Sequence, residues 1–203
     1  GDLLFDESGI QDACQQIILP YWNACHFYLS YSNIDGFHPE KLVEPTSENQ
    51  LDRWILAKLY DTAWQITCHM DAYQVNRYVE YLVSLLDGLT NWYIRRSRRR
   101  FWGNGMCQDK QDAYETLYYV LVCMTKLFAP VAPILSEKIY RVLTGEVSVH
   151  LALWPQIPKA YTDEGLLAKV ELVQEVISLG RSIRNKNQVK NRQPLSCLKV
   201  ALP

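Results

Sequence analysis

Five arginines fall within six consecutive positions of this sequence, at Arg95, Arg96, Arg98, Arg99 and Arg100. Aromatic side chains border the cluster on both sides, at Trp92, Tyr93, Phe101 and Trp102. Positive charge next to flat rings suits a polyanion that also offers planar groups for stacking. No acidic residue lies within residues 93–108, so the charge is not neutralised locally. A solvated helix end is the ordinary alternative, but the density and the aromatic border favour a nucleic-acid or domain-docking role.

The charge of the whole chain hides a strong segregation. The net charge is -1, from 21 Lys and Arg against 22 Asp and Glu over 203 residues. A second acid-free stretch covers residues 176–203 and carries Arg181, Arg184, Lys186, Lys190, Arg192 and Lys199. Outside the two stretches, 10 basic residues face 22 acidic ones, a net charge of -12. Two positive patches on an acidic body predict an RNA that docks specifically, and not DNA. A general chromatin binder would hold DNA through basic charge that is spread more widely.

Composition excludes several classes of function. Hydrophobic residues make up 48% and charged residues 21%, which is ordinary for a globular protein. No apolar run approaches the roughly 20 residues of a membrane span, and no signal peptide is visible, so we expect no membrane partner. The six cysteines and four histidines are scattered without metal-ligand spacing. We therefore expect free thiols in the cytoplasm, no metal, a monomer, and a chain excised from something longer, since both ends look arbitrary.

Helical periodicity dominates the chain and sets where the basic residues lie. The apolar spacing predicts helices over residues 9–32, from Ser47 or Asn49 to about 70, from 72 to 102, over 113–128, from Pro133 to about 143, and over 163–186. Pro20 predicts a kink or a new start in the first helix. Residues 145–162 read as irregular, with a short extended piece at 147–151, and 194–202 read as a strand without partners. The sum is all-α: a bundle of five to six helices with a short strand-like C-terminal tail.

A regular third helix would divide its arginines between two sides. At about 100° per residue, Arg96 and Arg100 fall on the apolar side, whereas Arg95, Arg98 and Arg99 fall on the opposite side with Trp102. A bare charge cannot sit in an apolar core. We therefore expect Arg96 and Arg100 to dock against carboxylates or a neighbouring domain, and the outer three to reach phosphates.

The second patch follows similar logic. Arg181, Arg184 and Asn185 are three and four residues apart and share one helical face. The amides of Asn185 and Asn187 are able to donate to phosphate or to a base edge. The alternative is that basic residues simply complement the dipole of a helix C-terminus, and the sequence leaves both readings open.

Several stretches resemble isoleucyl-tRNA synthetases. The arginine run with its aromatic borders, residues 91–102, is similar to a helix specific to that family. Leu51-Asp52-Arg53-Trp54, the Ser148-Val149-His150-Leu151 stretch followed by Trp154-Pro155, the segment from Arg184 to Leu195, and Leu19-Pro20-Tyr21-Trp22-Asn23-Ala24 agree in order. Valyl and leucyl relatives share the Asp-Arg-Trp segment but lack the arginine run.

The resemblance implies a helical anticodon-binding domain over residues 1–187, with residues 188–203 starting a C-terminal junction region. It implies tRNA(Ile) as partner, together with the catalytic and C-terminal domains of the same chain. The His-Ile-Gly-His and Lys-Met-Ser-Lys-Ser types of ATP-site motif do not occur in these 203 residues. We therefore expect no catalytic residue and no cofactor here, while ATP and Mg would serve an isoleucine-tRNA ligase of which this chain is a part.

The residues expected to contact tRNA come from both lines of reasoning. They are Arg95, Arg98, Arg99, Trp102, Arg181, Arg184, Asn185, Lys186, Lys190, Arg192 and Asn23. Trp22, His26 and Tyr31 lie beside Asn23 on a helix that approaches the anticodon in related bundles, although core or rim packing is the ordinary role of Trp22 and Tyr31. The rival hypothesis is a non-catalytic helical domain that docks neighbouring protein domains with little direct RNA contact.

Overall fold

The computed structural model describes residues 11–200, apart from the side chain of Asn76. Seven α-helices lie in this range: α1 (Leu19–Asp35), α2 (Gln50–Asp71), α3 (Val75–Asp87), α4 (Arg95–Trp102), α5 (Gln108–Phe128), α6 (Pro133–Thr144) and α7 (Glu164–Lys186). A π-helical segment, Gly88–Ile94, joins α3 to α4 without a break, so six separate helices result. No strand occurs within residues 11–200. The all-α prediction is confirmed.

Local chemistry sets the helix ends. The Asn49 side chain accepts a hydrogen bond from the Leu51 N–H at 3.0 Å and caps α2, and Asp163 does the same for α7 through Leu166 at 3.0 Å. Gly36 ends α1 in the left-handed region at φ 68°, which costs a glycine little. These ends lie within a few residues of the predicted ones, except that α5 begins at Gln108 instead of residue 113.

Pro20 perturbs the first helix as predicted. A π-helical turn, Cys14–Ile18, comes directly before α1, and Pro20 lies in the first turn of α1. Proline has no N–H and its ring crowds the preceding turn, so a wider turn on its N-terminal side relieves the clash. The helix therefore continues through the proline with altered geometry.

The core of the bundle surrounds α5. Fifteen of the residues of α5 are buried, so this helix is enclosed on all sides. Its contacts are with α1, α2, α4 and α6. The predicted inward residues Leu117, Val120, Leu121, Met124 and Phe128 are all buried. α5 is thus the central helix of the bundle, and α4, the helix of the arginine cluster, packs against it.

The chain divides into two compact units between Thr162 and Asp163. The second unit contains α7, turns at residues 187–192 and irregular chain up to residue 200. The predicted strand-like tail shows no strand pairing up to residue 200, and 201–202 lie outside the described residues. The short extended piece predicted at 147–151 is wrong, because Val149–Leu151 forms a 3-10 turn. The predicted domain boundary at 187/188 stays a prediction.

Within the described part of the chain, no helix is both long and apolar enough to cross a membrane.

Candidate nucleic-acid interface

The arginine helix is out of phase with a regular α-helix. The segment Gly88–Ile94 is π-helical, and its wider turn takes up about one extra residue. Tyr93 and Ile94 within the segment, and Ser97 and Phe101 beyond it, are buried. Trp92 and Arg100 are partly exposed, and Arg96 is exposed. The predicted inward orientation of Arg96 is wrong for this reason.

Arg95, Arg98 and Arg99 are exposed, as the sequence predicts. No hydrogen bond or ion pair joins any of the three side chains to another residue between positions 11 and 200. Guanidinium groups without internal partners keep their donors for an outside acceptor such as a phosphate. This trio is the free part of the cluster.

Arg96 lies over a ring of the same helix. Its guanidinium carbon is 4.3 Å from the centroid of the Trp92 ring, a cation–π contact, and its side chain is exposed. The docking role predicted for Arg96 stays a prediction, but the residue faces solvent and not the core.

Arg100 is the internal member of the cluster. Its side chain is 11% exposed, and Nη1 and Nη2 donate to Oδ1 and Oδ2 of Asp52 at 2.7 and 2.8 Å. Nε also donates to Asp109 at 3.0 Å. Burial works against the charge on Arg100, but the hydrogen bonds and charge of Asp52 outweigh it and raise the pKa of Arg100. Arg100 therefore links α4 to α2 and α5.

Asp52, noted in the sequence only as part of the Leu51-Asp52-Arg53-Trp54 stretch, is the buried partner of Arg100. It is fully buried, and it also accepts from the hydroxyls of Tyr93 at 2.7 Å and Ser47 at 2.6 Å. Burial, and then the charge of Asp52, raises the pKa of Tyr93, so the phenol stays a donor. Asp52 lies three and four residues before the buried Ile55 and Leu56, so it falls on the apolar face of α2. This spacing was the signal available in the sequence, since a lone acid on an apolar face needs partners.

A second buried ion pair holds the chain just after α4. Lys110 is 2% exposed, and its Nζ lies 2.6 Å from Oδ2 of Asp35 and donates to the carbonyl oxygen of Gly103 at 2.8 Å. The Tyr114 hydroxyl also donates to Asp35. Burial tends to raise the pKa of Asp35, but hydrogen bonds from Lys110 and Tyr114 lower it overall. The end of α4 is thus fastened to α1 and α5.

Trp102 ends α4 with an exposed ring. Its side chain is 56% exposed, and its indole N–H donates to the Tyr31 hydroxyl at 2.7 Å. Tyr31 therefore orients the indole ring through a hydrogen bond and does not stack on it. Asn23 is exposed on α1 beside Trp22, which is 44% exposed.

The second basic stretch, residues 176–203, belongs to the second compact unit. Its exposed predicted contacts are Arg181, Asn185, Lys186, Lys190 and Arg192. Arg184 differs, because its Nη1 donates to the carbonyl oxygens of Lys190 and Gln193 at 3.0 and 2.8 Å. This arginine folds the turn after α7, so part of its hydrogen-bonding capacity is already used.

No group of three or more His, Cys, Asp or Glu residues able to hold a metal ion exists within residues 11–200. The candidate site therefore consists of cationic and aromatic side chains. As a class, the protein is a helical bundle that displays a cationic helix.

Sequence comparison identifies the family. A family model described as the anticodon-binding domain of tRNA ligase matches residues 52–202, and the chain belongs to this family. The matched range includes α4 and both basic stretches.

Individual relatives agree with the resemblance. The chain is 42% identical over 203 residues to an isoleucine–tRNA ligase of Protochlamydia amoebophila, 39% over 214 residues to one of Treponema pallidum, and 36% over 198 residues to one of Clostridium novyi. The alignments cover 98%, 98% and 95% of this chain but 20%, 20% and 19% of those proteins. The chain spans about a fifth of the length of the curated relatives that it matches. The predicted similarity to isoleucyl-tRNA synthetases is confirmed.

Proposed function

We propose that this chain is the tRNA-binding domain of an isoleucine–tRNA ligase. In this role it positions tRNA(Ile) through the anticodon stem and loop, while other domains carry out ATP-dependent aminoacylation. The supporting observation is the exposed, unpartnered trio Arg95, Arg98 and Arg99 on a chain of the anticodon-binding family. Free guanidinium groups are the side chains expected for phosphate contacts.

The proposal also covers the cofactors, partners and cellular location of the longer enzyme. ATP and Mg would act in the catalytic domain of the longer enzyme, and the partners of this chain would be that domain, the C-terminal region and tRNA. We propose a cytoplasmic monomer, which the six free cysteines support because thiols persist in a reducing compartment.

The decisive experiment replaces the trio together, Arg95→Ala, Arg98→Ala and Arg99→Ala, and measures affinity for tRNA(Ile) from about 50 to 200 mM salt. Each lost phosphate contact lowers the slope of log K against log salt by about 0.7–0.9, so we expect a slope smaller by about 2–3. The melting temperature should stay within a few degrees, because exposed unpaired side chains contribute little to stability.

The matched control removes three other exposed cations, Lys41→Ala, Arg77→Ala and Lys159→Ala. It has the same loss of charge, and the only ion pair that it breaks within residues 11–200, Arg77 to Glu80 at 3.5 Å, is exposed. If both triple variants lost the same affinity, α4 would contribute only nonspecific positive charge to tRNA binding. Lost stability with intact tRNA binding would support the docking hypothesis instead.

A further inference from the structure

The cation trio has a fixed direction only if α4 cannot turn about its own axis. α4 is an eight-residue helix with two buried side chains, Ser97 and Phe101. Ser97 is too small to lock a helix by shape, and its buried hydroxyl has no hydrogen-bond partner within the described residues. α4 continues the preceding helix without a break, and its own apolar packing comes from Phe101, which meets the rings of Phe27 and Tyr114 edge-on.

Asp52 adds directional polar contacts at both ends of α4. Tyr93, two residues before α4, and Arg100, in its last turn, both donate to Oδ1 of Asp52 at 2.7 Å. The second nitrogen of Arg100 donates to Oδ2, so the guanidinium and the carboxylate meet as a fork. Contacts at both ends of a helix to one carboxylate fix its rotation as well as its position.

The carboxylate itself is held by its surroundings. Asp52 is fully buried in α2, and the hydroxyl of Ser47 holds Oδ2 at 2.6 Å. A buried ion pair is a poor source of net stability compared with apolar packing, because both charges lose their water. Its strength is a directional geometry, which a helix that presents cations requires.

We propose that Asp52 is a positioning residue for RNA binding, acting through Tyr93 and Arg100 to set the rotation of α4. This proposal rests on the proposed function. It makes an acidic residue necessary for binding a polyanion, and therefore predicts an effect opposite in sign to that of simple electrostatics.

The test is Asp52→Asn, with Asp61→Asn as the matched control. Both changes remove one negative charge from α2, and Asp61 is exposed further along the same helix. Electrostatic attraction alone makes both variants bind tRNA(Ile) as tightly as the original chain or more tightly. Positioning makes Asp52→Asn bind about tenfold more weakly, with a smaller salt slope, while Asp61→Asn stays unchanged or tighter.

A second variant guards against simple unfolding. Arg100→Lys keeps the net charge and loses the fork, so it should also weaken tRNA binding by several-fold while far-UV circular dichroism still shows a folded helical bundle. If Asp52→Asn fails to fold, Arg100→Lys decides the question alone. Folded variants that bind tRNA as tightly as the original chain overturn the positioning role, whereas an original chain that binds no tRNA overturns the proposed function instead.

Discussion

Trp102 combines exposure with a defined orientation, and both properties matter for a ring that stacks on a base. More than half of its surface is open, and the hydrogen bond to Tyr31 limits rotation of the indole. Arg98 and Arg99 lie within the preceding turn of the same helix. We expect a nucleotide whose phosphate meets these arginines to have its base within reach of the ring, which is the usual arrangement for unpaired nucleotides.

We expect Trp102→Ala to weaken tRNA(Ile) binding by about 5- to 160-fold, because stacking of one base is worth about 1–3 kcal/mol. Trp102→Phe should recover most of the affinity, since it keeps an aromatic face. Fluorescence anisotropy of labelled tRNA measures both.

Trp64→Ala is the control for the tryptophan prediction. Trp64 is 54% exposed on α2, so it matches Trp102 in type and exposure without lying on the arginine helix. Equal effects of the two alanine variants, or a Phe variant as weak as the Ala variant, would contradict stacking at Trp102.

At the residue scale, sequence predicts the free side chains better than the fixed ones. The exposed trio on α4 follows from charge density and helical spacing, because surface cations need no knowledge of tertiary contacts. Asp52 and Lys110 are different, since their partners Arg100 and Asp35 lie 48 and 75 positions away in the chain. Such pairs depend on how the helices pack, and a single sequence does not record that packing.

At the element scale, the Asp35 to Lys110 ion pair ties α1 and α5 to the chain after α4. The lowered pKa of Asp35 gives this tie a defined pH dependence. A carboxyl whose pKa is depressed in the folded state adds stability above its unfolded value of about 4, and that stability is lost as the pH falls through the folded pKa.

We expect the free energy of unfolding to fall as the pH drops below about 4, and Asp35→Asn to remove part of that dependence. At pH 7 the same variant should be less stable by about 3 kcal/mol, because Lys110 stays buried without its counter-ion. Urea unfolding at pH 7, 5 and 3.5 (chosen conditions) measures both effects. Asp61→Asn is again the control, and an Asp35→Asn variant that keeps the full acid dependence would contradict the assignment.

The helices themselves are largely predictable, but their phase is not. Apolar periodicity, Asn49, Pro133 and Gly145 mark where helices begin and end. The π-helical segment at residues 88–94 has no comparable marker, because its local composition is compatible with an ordinary α-helix. One extra residue in that turn rotates everything beyond it by about 100°, which turns Arg96 outward.

At the scale of the whole molecule, positive charge is divided between two compact units. The trio on α4 belongs to the first unit, and residues 176–203 belong to the second. A single tRNA that touches both units gains affinity from each, whereas a tRNA held by one unit is indifferent to the other. The charge pattern of the sequence alone predicts the two stretches, but only a binding measurement shows whether one tRNA contacts both.

We expect the triple variant Arg181→Ala, Lys186→Ala and Lys190→Ala to weaken tRNA(Ile) binding and to lower the salt slope by up to about 2–3. Arg184 is left intact because it holds the turn after α7 through two carbonyl oxygens, and its loss would mix folding with binding. Combined with the alanine trio on α4, the slopes should decrease additively, since independent contacts add. A combined variant no weaker than the α4 variant alone would show that the second stretch does not touch the same tRNA.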